Sequence, residues 1–317
     1  MAGNKPISRV AIIGTGVIGA SWAAQFLAKG LDVVATDIAP NAEETLRHFV
    51  DAAWPALERL GLAAGASRSR LTFVADMAEA VKGAELVQEN GPERIDFKQK
   101  LYGELDALLP PEVIIASSSS GLTMSAIQSG CPTHPERCVI AHPFNPPHLV
   151  PLVEIVGGAK TSEETIERAQ EFYTALGKQT VRLHKEVPGH VANRLQAALA
   201  REVYYLVEQG VVSVADVDTA LSWGPGLRWG IMGQVLLNHL GGGQGGMEHF
   251  LAQFTGPLTA WWKTLGSPEL TPELQKKLID GVHAEVGSRS IDDLAAERDE
   301  VLLGLLELRA KAVAARA

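Results

Sequence analysis

The sequence RVAIIGTGVIGA, residues 9–20, decides the fold class. A short β-branched run leads directly into three glycines, and an amphipathic stretch, residues 17–29, follows and stops at a further glycine. A second β-branched run, residues 32–36, ends at Asp37, at roughly the 20-residue spacing at which an acidic residue follows such a turn. A strand, a glycine-rich turn, a helix and a second strand in this order predict a βαβ unit that binds a dinucleotide.

The three glycines of this turn have different physical roles. Gly14 allows the chain to turn tightly, Gly16 lets the backbone approach a pyrophosphate, and Gly19 lets the helix pack closely on the sheet. The first helical residues, Val17 and Ile18, contribute free N–H groups at the positive end of the helix dipole, which favours phosphate binding. The alternative is a glycine-rich turn that serves packing alone.

Asp37 indicates which dinucleotide is bound. Its carboxylate would accept hydrogen bonds from the ribose hydroxyls and would repel a 2′-phosphate, and residues 38–41 contain no arginine that could hold one. We therefore predict NAD, not NADP, as the cofactor.

The first half of the chain continues to alternate short β-branched runs with amphipathic stretches, which predicts a doubly wound, mainly parallel sheet. The predicted strands are Arg9–Ile13, Asp32–Thr36, Glu85–Gln88, Val113–Ala116, Cys138–Ala141, Leu152–Val156 and Thr180–Leu183. Beyond residue 187 strands disappear, and apolar residues recur at helical spacing. The sequence thus predicts a Rossmann-type α/β domain over residues 1–187 and an all-helical domain over residues 188–317.

Composition narrows the class of protein. The chain has 317 residues, enough for about two domains, and its 28 basic and 37 acidic residues give a net charge of −9, which does not favour nucleic-acid binding. We see no signal peptide and no apolar run of the roughly 18 residues needed to span a bilayer. The two cysteines show no metal-ligand spacing. We expect a cytoplasmic globular protein without a membrane or nucleic-acid partner.

Polar residues follow several predicted strands at the sheet edge where doubly wound folds bind ligands. His142 lies between a β-branched run and the proline-rich residues 143–147, and histidine side chains suit proton transfer near neutral pH. Glu154 lies within LVEIV, where burial would make an unpaired carboxylate very costly. We predict that the two side chains pair, so that the carboxylate fixes the imidazole tautomer. The alternatives are a histidine satisfied at a strand end and a glutamate facing water on an edge strand.

The chain resembles the L-3-hydroxyacyl-CoA dehydrogenase superfamily over nearly its whole length. Within it, the chain is most similar to the branch that contains lambda-crystallin (L-gulonate 3-dehydrogenase) and L-carnitine dehydrogenase. The segments that carry the resemblance are IIGTGVIGASWA, TDIAP, VQENGPERIDFK, ASSSSGL, IAHPFNPPHLVPLVEIVGG, EVPGHVANRL and GPGLRWGIMG.

The resemblance implies roles for individual residues. His142 corresponds to the catalytic base and Glu154 to its carboxylate partner. Ser120 corresponds to the serine that contacts the substrate hydroxyl, with Ser119 as an alternative, and Asn193 to the asparagine that holds the substrate oxygen. Glu89 and Lys98 stand at positions that contact the nicotinamide side of NAD.

The implied reaction is the NAD-dependent oxidation of the 3-hydroxyl of a small L-3-hydroxy acid, such as L-carnitine or L-gulonate, to the 3-keto acid. No metal is required, because the histidine and the positive charge of the cofactor supply the electrostatic stabilisation that the reaction needs. One alternative is an L-3-hydroxyacyl-CoA dehydrogenase that acts on 3-hydroxybutyryl-CoA. Another is a crystallin-like structural protein that binds NAD without turnover.

The sequence defines the substrate-binding residues less closely than the cofactor-binding residues. Residues 51–70 lack the lysine cluster with which the acyl-CoA branch binds its nucleotide. Arg228 could bind a substrate carboxylate, or it could cap a helix or pair with Glu248. Aromatic faces could recognise a trimethylammonium group, or fill the core or an interface, and the candidates are Phe144, Trp223 and Trp229.

We also expect a homodimer formed through the helical domain. Apolar residues in stretches such as Val301–Leu308 would be buried between the two copies. One-sided packing against the domain's own core is the alternative explanation.

Overall fold

The computed structural model describes residues 6–314 of the chain. The chain divides into two compact units, with the division between Asn193 and Arg194. The predicted boundary after residue 187 lies slightly earlier, in the loop that follows the last strand.

The first unit is built on one eight-stranded sheet. Its strands are β1 (Arg9–Ile13), β2 (Asp32–Thr36), β3 (Leu71–Phe73), β4 (Leu86–Glu89), β5 (Ile114–Ser117), β6 (Cys138–Pro143), β7 (Leu152–Gly157) and β8 (Gln179–Leu183). Their order across the sheet is β3-β2-β1-β4-β5-β6-β7-β8. All neighbouring pairs are parallel except β6 and β7, which are antiparallel. The predicted doubly wound, mainly parallel sheet is confirmed.

The sequence prediction missed β3 and ended β6 too early. The strand β3 has only three residues on the edge of the sheet, too few for an alternating pattern to be recognised. The strand β6 continues through His142 and Pro143, because its antiparallel pairing with β7 continues to that point.

Helices cover both faces of this sheet, and successive strand residues alternate between two apolar cores. Val10 and Ile12 belong to one core cluster, whereas Ala11 and Ile13 belong to the other. The helices of this unit are α1 (Val17–Ala28), α2 (Ala42–Leu60), α3 (Met77–Val81), α4 (Ile95–Leu108), α5 (Met124–Ile127) and α6 (Glu163–Ala175). Burial of β1 on both faces explains why its residues 10–13 are all apolar.

The second unit is helical, as predicted. Its helices are α7 (Ala192–Glu208, which begins in the first unit), α8 (Val214–Trp223), α9 (Pro225–Trp229), α10 (Gln234–Gly241), α11 (Gly246–Trp262), α12 (Pro272–Val286) and α13 (Ile291–Ala314). Within residues 194–314, its apolar core cluster contains three buried residues, Val207, Val214 and Val217. Across residues 6–314, no helix combines the length and the apolar character that crossing a membrane would demand.

Candidate active site

The glycine turn has the geometry that close approach of a ligand requires. Gly14 has a φ of 84°, a conformation that favours glycine, and its N–H donates to the carbonyl of Thr36 at 3.0 Å. A Cβ added to Gly19 would lie 1.9 Å from the carbonyl oxygen of Gly14, so the helix can lie this close to the turn only with glycine there. A Cβ added to Gly16 would meet no atom within 4 Å, so this position faces open space.

The N-terminus of α1 is available for an anion. No side chain caps this helix end, and Val17 in its first turn is 60 % exposed. Uncapped N–H groups at a helix N-terminus form a natural phosphate site. These residues therefore fit the pyrophosphate of a dinucleotide.

Asp37 is fixed beside the turn. Its Oδ2 accepts hydrogen bonds from the backbone N–H of Thr15 at 2.6 Å and from the Thr15 hydroxyl at 3.0 Å, and its Oδ1 accepts from the N–H of Ala39 at 2.9 Å. Burial alone would raise the pKa of Asp37, but these hydrogen bonds outweigh it and hold the pKa below its usual value. The carboxylate is thus charged and oriented at the end of β2, which fits its predicted role as acceptor for ribose hydroxyls.

A half-buried network of hydrogen bonds holds the glycine turn in place. The Asn90 side chain donates to the backbone carbonyls of Gln88 at 3.0 Å and Ile13 at 3.3 Å, and its Oδ1 accepts from the Ser118 hydroxyl at 2.7 Å. The indole of Trp22 in α1 donates to the same serine oxygen at 3.2 Å. The network therefore ties α1 to the ends of β1, β4 and β5.

Glu89 and Lys98, predicted to contact the cofactor, form a buried ion pair. The ammonium of Lys98 lies 2.7 and 2.8 Å from the two carboxylate oxygens of Glu89, and both side chains are almost completely buried. Glu89 also accepts hydrogen bonds from Gly91 and Ser117. The pair holds the segment after β4, and contact of either residue with the nicotinamide stays a prediction.

His142 and Glu154 lie directly opposite each other on β6 and β7. Their side chains are 4 % and 1 % exposed, and Nδ1 of His142 lies 2.8 Å from Oε2 of Glu154. A carboxylate can only accept, so Nδ1 carries a proton, and in the neutral imidazole Nε2 is then the bare nitrogen. Nε2 lies 3.1 Å from the Ser120 hydroxyl, which therefore donates to it. A histidine in this tautomer can accept a proton through Nε2.

Glu154 stays ionised although it is buried. Burial alone would raise the pKa of Glu154, but hydrogen bonds from His142 and from two backbone amides hold the pKa below its usual value. The amides are those of Val191 and Ala192, at 2.8 and 3.0 Å from Oε1. Because α7 begins at Ala192, Glu154 also fixes the start of the helix that carries Asn193, which is half-buried.

The serine loop after β5 brings Ser120, and not Ser119, to His142. The Ser119 hydroxyl donates to Oε1 of Glu93 at 2.6 Å, and the N–H groups of Gly121 and Leu122 donate to the same oxygen at 2.7 and 3.1 Å. Burial alone would raise the pKa of Glu93, but these hydrogen bonds hold the pKa below its usual value. Glu93 therefore keeps the loop in place as a charged acceptor.

Sequence reasoning did not single out Glu93 or His190. Both lie within segments that carry the family resemblance, VQENGPERIDFK and EVPGHVANRL. The available signal was a charged or titratable side chain next to Pro or Gly in a loop at the ligand-binding edge. Neither position belongs to a periodic pattern, and so neither was picked out.

The other candidate substrate residues are placed as follows. Phe144 follows β6 and is half-buried, and Trp223 and Trp229 of the helical unit are exposed, the first by 78 %. The Trp229 indole donates to Gln234 at 2.5 Å. Arg228 is exposed in the last turn of α9, and among residues 6–314 its guanidinium makes no hydrogen bond or ion pair, with Glu248 or with any other residue.

Comparison with known proteins agrees with this geometry. The family model "3-hydroxyacyl-CoA dehydrogenase, NAD binding domain" matches residues 9–187, and the model of the family's C-terminal domain matches residues 189–298. L-carnitine dehydrogenase from a Pseudomonas species is 50 % identical over 95 % of this chain and 94 % of its own length. The enzyme of that name from Bacillus cereus is 47 % identical over 98 % of this chain and 94 % of its own length.

Solved structures show the same architecture. An NAD⁺-dependent dismutase, 5-formyl-3-hydroxy-2-methylpyridine 4-carboxylic acid 5-dehydrogenase, has a TM-score of 0.80 and 32 % identity over 95 % of this chain and 99 % of its own. The 3-hydroxybutyryl-CoA dehydrogenase of Escherichia coli has a TM-score of 0.66 and 29 % identity over 87 % of this chain and 57 % of its own. With two family models covering most of its length, the chain belongs to the 3-hydroxyacyl-CoA dehydrogenase family and is an NAD-dependent dehydrogenase.

Proposed function

We propose that the chain oxidises the 3-hydroxyl of a small L-3-hydroxy carboxylic acid to the 3-keto acid, with L-carnitine as the first candidate substrate. The observation that carries this proposal is the buried His142–Glu154 pair with its bare Nε2 beside an exposed serine hydroxyl. The extended similarity to L-carnitine dehydrogenases supports the choice of substrate.

Each residue of the pair then has a defined task. Nε2 of His142 takes the proton from the substrate hydroxyl, and the carboxylate of Glu154 stabilises the imidazolium that results. Ser120 and Asn193 hold the substrate oxygen. Bound NAD⁺ supplies the acceptor for the hydride that leaves C3.

Two arginines of residues 51–70 are engaged within the fold, which favours a free acid over a CoA thioester. Arg68 lies 2.6 Å from Asp51 and stacks over Trp54, and Arg70 lies 3.1 Å from Asp32. These partners compete with a nucleotide phosphate for the same guanidinium groups.

Arg228 is our candidate for the substrate carboxylate. A guanidinium without a partner among the described residues can make two parallel hydrogen bonds to a carboxylate. We keep Phe144, Trp223 and Trp229 as candidates for a trimethylammonium group, since the faces of aromatic rings attract such cations.

The experiment is a comparison of NADH production from L-carnitine, D-carnitine, L-gulonate and 3-hydroxybutyryl-CoA, with wild type and His142→Gln. We expect the highest kcat/KM with L-carnitine. The His142→Gln variant should bind NAD normally and turn over slower by at least about a hundredfold. A preference for the thioester would contradict the proposed substrate. Wild-type turnover in the variant would contradict the proposal that His142 is the base. No NADH from any hydroxy acid would instead support the crystallin-like alternative.

We further propose that the protein is a cytoplasmic homodimer. The helical unit exposes many large apolar side chains and buries few, which supports association through this unit. The two cysteines, Cys131 and Cys138, are both free and buried with their sulfurs 3.5 Å apart, as suits a reducing compartment.

A further inference from the structure

His190 is a buried histidine beside His142 that the proposed mechanism does not use. The two ring centroids are 5.0 Å apart, and His190 is 2 % exposed. Its Nε2 lies 3.0 Å from the backbone carbonyl oxygen of Ser119. Because a carbonyl only accepts, Nε2 carries a proton, and in the neutral ring Nδ1 then has only a lone pair. This Nδ1 is buried and has no hydrogen-bond partner in the described residues.

Two features of His190 oppose folding. Its φ of 49° lies in the left-handed region, which side chains with a Cβ rarely adopt. Its unpaired Nδ1 has lost water without gaining a partner. A phenylalanine would fill a similar volume without burying a nitrogen. What the imidazole adds at this position is therefore the Nε2–H that binds Ser119.

The turn that carries His190 contacts the two segments that provide the hydrogen-bond partners of His142, the serine loop with Ser120 and the strand β7 with Glu154. On one side, the ring holds the carbonyl of Ser119, which belongs to the peptide that joins Ser119 to Ser120. On the other side, the next two amides of the chain bind Oε1 of Glu154. Strained residues persist where the surrounding structure determines them, and they cluster at functional sites.

The neutral ring is sufficient for this role, because Nε2–H donates whether or not Nδ1 is protonated. Burial lowers the pKa of His190, and the nearby His142 acts in the same direction. The hydrogen bond to the Ser119 carbonyl and the carboxylates of Glu154 and Glu93 act against this lowering but do not outweigh it. A neutral His190 ring does not oppose a positive charge on His142, whereas two adjacent imidazolium groups would repel each other.

We propose that His190 is a positioning residue: as a neutral imidazole protonated on Nε2, it holds the Ser119 carbonyl and so keeps the Ser120 hydroxyl on Nε2 of His142. This inference rests on the proposed function, in which Ser120 and His142 act on the same substrate oxygen. Glu93 secures the other side of the same loop through the amides of Gly121 and Leu122.

The test compares His190→Phe with His190→Gln in the oxidation of L-carnitine at saturating NAD. The phenylalanine removes the donor, and we expect kcat to fall by about tenfold or more, since small displacements of reacting groups slow catalysis strongly. The dissociation constant for NAD and the thermal midpoint should change little. Glutamine carries an amide N–H that can reach the same carbonyl, and we expect it to recover most of kcat. His134→Phe, at the opposite end of β6, is the matched control and should behave as wild type.

The outcomes separate this inference from the proposed function. Wild-type kcat in His190→Phe overturns the inference, and so does an equal loss of kcat in the glutamine variant. If the phenylalanine variant does not fold, His190→Asn replaces it, because asparagine tolerates the left-handed φ. The asparagine side chain is too short for its amide to reach the Ser119 carbonyl. The kcat of the asparagine variant must therefore lie below that of the glutamine variant. A normal turnover of His142→Gln, measured in parallel, would overturn the proposed function itself.

Discussion

Glu154 divides its two carboxylate oxygens between two tasks. Oε2 faces Nδ1 of His142, and Oε1 accepts the amides of Val191 and Ala192 at the start of α7. The ionised carboxylate accepts hydrogen bonds in both tasks, and its four lone-pair sites can serve them together. The same residue therefore influences both the tautomer of His142 and the position of the helix that carries Asn193.

The role of Glu154 in fixing the tautomer gives the first prediction. In Glu154→Gln, the amide oxygen can still accept from the two backbone N–H groups, so the NH₂ faces His142 and donates to Nδ1. His142 then carries its proton on Nε2 and cannot act as a base there. We expect kcat for hydroxy-acid oxidation to fall by about a thousandfold or more, as known for triads with the wrong tautomer. Steady-state kinetics tests this, with NAD binding as the control, and a loss under tenfold would contradict it.

Lys178 gives a prediction about pH and stability. Its ammonium donates to the carbonyls of Pro147 and Val150, in the connection that follows His142. Burial, helped by the charge of Lys29, lowers the pKa of Lys178 to about 7. The unfolded chain keeps this proton up to about pH 10.4, so unfolding takes up a proton between the two values. Stability therefore rises with pH across this window and is flat below it.

The measurement is the thermal midpoint of wild type and Lys178→Met at neutral and at alkaline pH. The midpoint of wild type should rise relative to that of the variant as the pH increases from about 7 to about 10. Lys160→Met, which changes an exposed lysine in the same unit, should follow wild type. A constant difference between wild type and Lys178→Met at every pH would contradict the assignment.

At the scale of elements, the contact between α1 and the end of β1 determines whether a dinucleotide fits. Gly19 lies so close to the carbonyl of Gly14 that any Cβ must push the helix away from the turn. The helix N-terminus moves with it, and its N–H groups are the ones that would bind phosphate.

Gly19→Ala should therefore weaken NAD binding and lower the stability by about 1–3 kcal/mol, the usual cost of overpacking. Titration with NAD and thermal unfolding measure the two effects. The control is Gly304→Ala in α13, where an added Cβ meets no atom within 4 Å and alanine favours the helix. If Gly19→Ala bound NAD as wild type does, the close contact would not matter for the cofactor.

The elements that the sequence predicted well are those with a complete local pattern. The glycine turn, the strand β1 and the strand that carries Glu154 all combine periodicity or continuous apolar character with a defined boundary. The strand β3 and the last residues of β6 depend on a neighbouring strand for their hydrogen bonds, and no local pattern marks them.

At the site, the pairing of His142 with Glu154 was predictable because a buried carboxylate needs a partner. The contributions of His190 and Glu93 were not predictable in this way. Both act on the backbone of the serine loop, and a contact between a side chain and a distant backbone group leaves no trace in residue type or spacing.

At the scale of the whole molecule, the two units differ in how they bury apolar side chains. The first unit has two extended apolar cores, whereas the helical unit leaves residues such as Trp223, Trp261, Trp262 and Leu308 largely exposed. Large exposed apolar surfaces are typical of interfaces. A second copy of the chain is the partner that we propose.

Leu308→Glu should therefore shift the protein from dimer towards monomer. Leu308 is 64 % exposed in α13, and a carboxylate there would lose its water in an apolar interface. Ala310→Glu adds the same charge to another face of the same helix and should leave the dimer intact. Sedimentation velocity at micromolar concentration distinguishes the two states. A wild-type chain that sediments as a monomer would contradict the proposal directly.

The antiparallel pairing of β6 with β7 has a consequence for how the His142–Glu154 pair is assembled. Strands of opposite direction need only a short connection, and residues 144–151 provide it. Glu154 and His142 are therefore contributed by one hairpin-like unit, and their contact depends on residues that are close together in the chain. During synthesis, β6, β7 and their connection emerge from the ribosome one directly after another. Glu154 can therefore pair with His142 before β8 and the helical unit have been synthesised.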